Sequence, residues 1–193
     1  MFETITHLTP EELLAGLEII RQSPKDSGAL KAIVRRPAVD IRETLSVGEL
    51  GLDEGLVGDT WKDRSSARTP DHTAHPDMQV TLMNVRVIDL VAQTPERRLL
   101  AGDQLYVDLD LSLENLPVGT RLAIGEKAVL EITAQPHTGC LKFAARFGNP
   151  ALKWVNSPVG KELRLRGVNT RVVQPGEIQV GDPILVSRAA PAR

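Results

Sequence analysis

Residues 168–186 read VNTRVVQPGEIQVGDPILV, a run in which short β-prone pieces alternate with turn residues. Branched and aliphatic side chains favour strands, whereas Gly, Pro and Asp favour turns. The predicted strands are Val168–Val173, Ile178–Val180 and Ile184–Val186, and the predicted turns are Pro175-Gly176 and Gly181-Asp182-Pro183. This spacing is typical of short strands that pair in an antiparallel sheet.

The same pattern of short β-prone runs separated by turn residues extends through the preceding sequence. Leu105–Leu113 alternates apolar and polar side chains, as a half-buried strand does. Thr120–Ile124 and Ala128–Ala134 flank Gly125-Glu126-Lys127, which is a hairpin signal. Further strands are predicted at Ala29–Val34 and Gln79–Met83. The sequence therefore predicts a mainly β protein, built as an antiparallel barrel or as a sandwich.

A helix is predicted over residues 9–22, ahead of the first strand. Thr9 is a suitable N-cap, Pro10 fits the first helical position and Glu12 completes a capping box. Shorter helices are predicted at Val85–Ala92, Gly139–Phe147 and Pro150–Val155. The chain is therefore divided into an N-terminal helical extension, residues 1–28, and a β domain, residues 29–193.

The composition limits which kinds of binding partner and which cellular compartment are expected. With 193 residues, 41% of them hydrophobic, the chain suffices for one domain with a core. A formal net charge of −2 and an aromatic content of 3% argue against a nucleic-acid partner. No signal-like segment or long apolar run is seen, so no membrane association is expected. The single cysteine fits a reducing environment, and we expect a cytoplasmic protein.

Cys140 lies within PHTGCLKFAARFG, at the predicted start of a helix. A helix N-terminus with Lys142 and Arg146 nearby favours a thiolate, which binds soft metals or acts as a nucleophile. The alternative is structural. Cys140, Phe143 and Phe147 fall at helical spacing, so the cysteine also fits a small core position.

The histidines give two further hypotheses. His137 stands three residues before Cys140 and is a candidate base for the thiol, although the sequence identifies no third group to orient it. The other interpretation of His137 is a histidine at the rim of a site. His72 and His75, within the polar loop 62–78, have zinc-ligand character, but Pro76 disrupts helical spacing and favours a solvated loop.

Three arginines follow one another in LRLRGVNTRVV. Arg164 and Arg166 would share one face of a strand and hold a phosphate by paired hydrogen bonds, with Arg171 close by. A solvated outer face of a barrel explains the same pattern equally well.

Five segments, in their order and spacing, resemble the MOSC family, named for the C-terminal domain of molybdenum cofactor sulfurases. They are GLVGD (55–59), QVTLMN (79–84), ENLPVG (114–119), EITAQPHTGCLKF (131–143) and RGVNTRVVQPGEIQVGDPI (166–184). The resemblance covers about residues 30–187 and implies a MOSC-type antiparallel β-barrel with a few short helices. It also implies that Cys140 carries sulfur or ligates molybdenum, because the family cysteine follows a Gln-Pro segment.

The resemblance implies that the chain binds the molybdenum cofactor, molybdopterin. Protein purified from a host that does not make this cofactor would lack it. The phosphate of the cofactor calls for Arg, Lys or backbone N–H groups. The candidate cofactor-binding residues are Asp59, Asn115, His137, Lys142, Arg146, Arg166 and Arg171. Thr60-Trp61 after GLVGD, and His-Thr-Gly before Cys140, differ from the residues that many family members carry at those places.

Two functions follow from the resemblance to small stand-alone bacterial members of the family. The first is reduction of N-hydroxylated or N-oxide compounds, with a small-molecule substrate and an external electron-transfer partner. The alternative is a non-catalytic carrier that holds the cofactor, or a persulfide on Cys140, for a cofactor-accepting enzyme.

Overall fold

A computed structural model describes residues 6–188. Residues 1–5 of the predicted extension and residues 189–193 of the predicted β domain lie outside the described residues. The strands are β1 (Ser27–Arg35), β2 (Glu43–Leu45), β3 (Val47–Gly51), β4 (Gly55–Leu56), β5 (Val80–Asn84), β6 (Leu105–Asp108), β7 (Arg121–Ile124), β8 (Ala128–Ile132), β9 (Val168–Gln174), β10 (Gly176–Gln179) and β11 (Pro183–Ser187).

The helices are short, and two of them precede β1 while the other four lie between strands. They are α1 (Pro10–Ala15), α2 (Leu17–Arg21), α3 (Val85–Ala92), α4 (Pro95–Arg98), α5 (Leu141–Val155) and α6 (Pro158–Glu162). Single 3-10 turns occur at Thr60–Asp63, Pro76–Met78 and Leu99–Ala101. None of the helices within residues 6–188 is long and apolar enough to span a bilayer.

Strands from both halves of the described chain close into a barrel. The order around it is β1, β6, β5, β9, β8, β7 and β11, and β11 pairs with β1 again. Strand β2 extends the edge of β1, while β3, β4 and β10 form a separate small sheet. The predicted fold, a mainly β barrel with a few short helices, is confirmed.

One pairing in the barrel departs from the antiparallel pattern. β5 and β6 are parallel, so the sheet is mixed. Parallel neighbours need a crossover connection, and the segment that contains α3 and α4 supplies it. Asn84 begins this crossover as the N-cap of α3, because its side chain accepts a hydrogen bond from the backbone N–H of Arg86 at 2.8 Å.

Alternation along the strands separates two apolar cores. Leu82 on β5, with Leu105 and Val107 on β6, packs inside the barrel. Met83 and Tyr106 point the other way and pack beneath the helices. The barrel thus has one filled interior and one face that the helices cover.

The predicted strand over residues 105–113 is shorter than expected, because β6 ends at Asp108. The chain then turns: the Asp110 carboxylate accepts a hydrogen bond from the Ser112 N–H at 2.9 Å. Leu109 and Leu111 stay in the barrel core, while Leu113 is exposed. The alternating pattern therefore predicts the burial of four apolar side chains correctly. It places the end of the strand too late.

The predicted N-terminal helix is divided at Gly16 into α1 and α2. The capping box is present, with hydrogen bonds from the Glu12 N–H to Thr9 and from the Thr9 N–H to Glu12. Leu13 and Leu17 are buried in the core beneath the helices. The extension is therefore packed on the barrel domain through apolar contacts.

Replacing Leu13 by Ala tests this packing. Leu13 is fully buried, so we expect Leu13→Ala to lower the free energy of unfolding by about 2–5 kcal/mol in urea titrations. Leu14→Ala is the matched control, since its side chain is 55% exposed and its loss should change stability by less than about 0.5 kcal/mol. Equal effects of the two substitutions would contradict the described packing.

Candidate functional site

A cavity of about 600 Å³ opens beside the start of α5. Its walls come from residues 36–42 after β1, from residues 60–66, from residues 74–81 and from residues 101–102. The residues 137–146, together with Arg166 and Asn169, complete the lining. Its volume lies within the range of small-molecule and cofactor pockets.

The lining is strongly basic. Within the described part of the chain, six cationic side chains line the cavity, and they are Arg36, Arg42, Arg64, Lys142, Arg146 and Arg166. Two carboxylates, Asp40 and Asp63, lie in the same wall. Two more, Asp59 and Asp103, are fully buried and pair with arginines of the lining. Positive charge therefore exceeds negative charge, which favours an anionic ligand.

Asp59 anchors one side of the cavity. Its carboxylate accepts hydrogen bonds from Arg36 Nε at 2.8 Å and from Arg36 Nη2 at 2.7 Å. It also accepts from the backbone N–H of Trp61 at 2.9 Å, which caps the 3-10 turn over Thr60–Asp63. Arg36 Nη1 donates to the Gly102 carbonyl at 2.8 Å. The ion pair thereby joins three segments of the cavity wall.

Asp103 holds Arg166 on the other side. Arg166 Nη1 donates to Asp103 Oδ2 at 2.7 Å, and Nη2 donates to the Ala101 carbonyl at 3.0 Å. The guanidinium lies over the Phe143 ring, 5.2 Å from its centroid. Burial raises the pKa of Asp103, and the guanidinium of Arg166 acts in the opposite direction. A buried arginine stays charged, so it keeps the carboxylate as its counter-ion.

Some guanidinium groups of the lining keep a nitrogen without a protein partner in the described part of the chain. The buried Nε of Arg42 and of Arg166 has no hydrogen-bond partner among residues 6–188. Burial and the positive charges of Arg146 and Arg36 lower the pKa of Arg42, and burial and Arg36 lower that of Arg64. Such mutual repulsion is relieved when an anion enters the cluster.

Cys140 is the N-cap residue of α5 and lies exposed in the cavity lining. Lys142 and Arg146, predicted from the sequence, line the same cavity. Phe143 and Phe147 are buried and in ring contact, at 4.8 Å between centroids, but the thiol is outside that core. The alternative of a core cysteine is therefore wrong.

His137 also lines the cavity. Its Nδ1 lies 3.5 Å from Asp103 Oδ1. Burial, with the positive charges of Arg166 and Arg36, keeps the pKa of His137 well below its usual value. The imidazole is therefore neutral at pH 7.

Three predicted cofactor-binding residues lie elsewhere. Asp59 is buried behind the wall, where it holds Arg36. Asn115 donates to the carbonyls of Lys25 and Asp110, at 2.9 Å and 2.8 Å, which fixes a turn away from the cavity. Arg171 lies outside the cavity lining on the half-exposed face of β9, where it pairs with Glu131 at 2.6 Å. The structure therefore does not bring these three side chains into the cavity lining.

The predicted arginine pair on one strand face is wrong. Arg164 has a left-handed φ of 48°, precedes β9 and donates to the Leu116 carbonyl at 2.6 Å. Arg166 alone reaches the cavity. His72 is exposed in the polar loop, as the solvated-loop interpretation predicts, whereas His75 is partly buried and lines the cavity. His75 accepts a hydrogen bond from the Asp77 N–H through Nδ1 at 3.1 Å.

Sequence reasoning missed Arg36, Arg42 and Arg64, which supply half of the cations. The available signal was weak: Arg36 and Arg42 follow the first strand, and Arg64 follows GLVGD within a loop. Their convergence depends on the barrel, because the chain brings these loops to α5 from about 75 or more residues away.

Comparisons with known proteins agree with the barrel. The family model for the MOSC domain matches residues 69–185. The YuaD protein from Bacillus subtilis is similar at 17% identity, with a TM-score of 0.60, over 85% of this chain and 97% of that chain. YiiM from Escherichia coli is similar at 21% identity, with a TM-score of 0.51, over 84% of this chain and 71% of that chain. These two likenesses support the fold, and no curated protein matches the chain.

The lowered pKa of His137 makes stability depend on pH. The unfolded chain binds a proton on this histidine below pH 6.5, while the folded chain does not, so stability falls as the pH drops through that value. Between pH 7.5 and pH 5.5 we expect the free energy of unfolding to fall by about 1 kcal/mol through this histidine. Urea unfolding at the two pH values measures the change. His137→Gln should remove that part of the slope, and His72→Gln, at an exposed loop position, should retain it. An unchanged slope in His137→Gln would contradict the assignment.

Proposed function

The chain belongs to the MOSC domain family, and we propose that its cavity binds the molybdenum cofactor, with Cys140 as a thiolate ligand of the metal. One observation carries the proposal: an exposed thiol shares a cavity with six cationic side chains, two of which have buried nitrogens without partners among the described residues. A phosphate-bearing ligand suits a wall of this charge.

The donor set fits this cofactor better than a bare metal ion. The described residues offer no three-ligand metal cluster, and Cys140 supplies one sulfur. Molybdenum in this cofactor brings sulfur ligands of its own, so a single protein thiolate suits it. The arginines then provide the forked donors that a phosphate needs.

Each part of the cavity has a distinct task in this proposal. Arg42 and Arg166 would bind the phosphate, and the buried Asp59 and Asp103 hold the arginine side chains of the wall in place. Trp61 and several residues of the loop 62–78 line the cavity, so we assign them the shaping of substrate access. A positioned, partly desolvated set of donors costs little reorganisation when an anion binds.

The proposed reaction is reduction of N-hydroxylated or N-oxide compounds. The bound cofactor would supply two-electron chemistry, in which two electrons and two protons break the N–O bond and its oxygen leaves as water. Cys140 ligates the metal, and the basic wall orients the anionic parts of the ligands. One cysteine cannot hold an iron–sulfur cluster, so we assign electron delivery to a partner protein.

The exposure of Cys140 favours a second candidate, the carrier. A sulfur that is transferred to another enzyme must be accessible, and this thiol is exposed in the cavity lining. The carrier predicts a mass increase of one sulfur atom on freshly isolated protein and no turnover of N-hydroxylated compounds. Turnover without that increase would remove the carrier.

Cys140→Ser tests the metal ligand. The full chain is expressed in a host that makes the cofactor, and X-ray absorption at the molybdenum edge counts the sulfur ligands of the bound metal. We expect Cys140→Ser to lose one sulfur ligand relative to the wild type. Molybdenum with an unchanged sulfur count, or wild-type protein without molybdenum from that host, would overturn the proposal.

Arg42→Gln tests the phosphate site. Removing a charge-assisted hydrogen bond of about 1.5–3 kcal/mol should weaken pterin binding by roughly 10–100-fold, measured as pterin retained after dialysis. Arg171→Gln is the matched control, because Arg171 lies outside the cavity lining. Equal retention in the two variants would contradict the role given to Arg42.

A further inference from the structure

Two buried polar atoms beside the cavity lack hydrogen-bond partners in the described chain and face one another. They are Asp103 Oδ1 and His137 Nδ1, which lie 3.5 Å apart. That separation is at the outer limit of a hydrogen bond, and such contacts at functional sites commonly tighten when a ligand binds. The pair supplies the orienting group for His137 that the sequence did not reveal.

The Asp103 side of this contact is an acceptor. Its other oxygen, Oδ2, pairs with Arg166 at 2.7 Å, and both side chains are at least nine-tenths buried. A buried guanidinium needs the carboxylate in its charged form, and a charged carboxylate only accepts hydrogen bonds. Oδ1 therefore presents a lone pair to His137 Nδ1.

The His137 side of the contact is a neutral ring with one N–H and one lone pair. The charged groups that face it are Asp103, Arg166 and Arg36. Nδ1 is buried and His137 lines the cavity, so Nε2 is the ring nitrogen left to face the ligand.

Gly167 leaves room for the ring in this position. Its φ of 106° lies in the left-handed region, and a Cβ there would collide with the Leu82 carbonyl and lie 3.2 Å from His137 Nδ1. The backbone thus closes against the buried edge of the imidazole.

We propose that Asp103 is a positioning residue that fixes His137 as its Nδ1–H tautomer, so that Nε2 offers a lone pair to the ligand in the cavity. A lone pair at that point selects ligands that bring an O–H or N–H donor. Where the proposed reduction also holds, this polarity favours an N-hydroxylated substrate, which carries an O–H, over an N-oxide, whose oxygen only accepts. The substrate preference rests on the proposed function, whereas the assignment of the tautomer is independent of it.

The tautomer is measured directly in the full chain without cofactor. Long-range 1H–15N NMR of histidine-labelled protein at pH 7 distinguishes the protonated ring nitrogen from the unprotonated one. The chain has four histidines, and His137→Gln identifies the signal. We expect Nδ1–H for His137. An Nε2–H ring, or a ring protonated on both nitrogens, would overturn the inference.

Asp103→Asn tests the cause. Arg166 would hold the amide oxygen, so the amide N–H would point at His137 Nδ1 and switch the ring to Nε2–H. Asp108→Asn removes a different arginine-paired carboxylate, that of Arg86, and should leave the His137 signal unchanged. A ring that stays Nδ1–H in folded Asp103→Asn would contradict the positioning role. If that variant does not fold, the tautomer of His137 in the wild type still tests the proposal.

Substrate preference gives an independent readout. In loaded protein with a reductant, we expect Asp103→Asn to lower the kcat/KM ratio of an N-hydroxyamidine over a pyridine N-oxide by about tenfold or more. An unchanged ratio would overturn the selection by Nε2. Absence of turnover of both compounds in the wild type would contradict the proposed function and leave the NMR result to decide the tautomer.

Discussion

The buried carboxylate of Asp59 is the interaction on which the cavity depends. Arg36 at the end of β1 donates to it through two guanidinium nitrogens and its backbone N–H, and Trp61 donates from the following turn. Arg36 also reaches the Gly102 carbonyl. Removing one partner of such a buried pair costs about 3–5 kcal/mol, because the other charge is left uncompensated. The same pair fixes Arg36 in the cavity lining, so the group that stabilises this wall also compensates part of its positive charge.

Much of the fold follows from local sequence signals. The capping box at Thr9, the N-cap at Asn84 and the hairpin around Gly125 each act within a few residues, and each is present where the sequence predicts it. Only the length of the first helix differs, because it is divided at Gly16. The parallel pairing of β5 with β6 was beyond sequence reasoning, because strand partners are chosen by the closed barrel. The end of β6 at Asp108 was missed because apolar alternation continues into a buried turn.

The site was less predictable than the fold. Cys140 and His137 are close in the sequence, so the same segment brings both to the cavity. Arg42 reaches it from a distant loop with no motif of its own. Arg171 has the right chemistry for a phosphate, but Glu131 on the neighbouring strand holds it outside the cavity lining. Residue type and motif position therefore identify candidate ligand-binding residues. Whether such a side chain lies in the cavity or outside it depends on its partners in the folded structure.

The central claim is that one cavity joins the Cys140 thiolate to an arginine site for the cofactor phosphate. A crystal structure of the protein purified from a cofactor-making host, with anomalous data at the molybdenum edge, tests it most directly. The account predicts an anomalous peak within bonding distance of Cys140 Sγ and phosphate density on Arg42 and Arg166. A peak distant from Cys140, or a phosphate held outside this cavity, would contradict it.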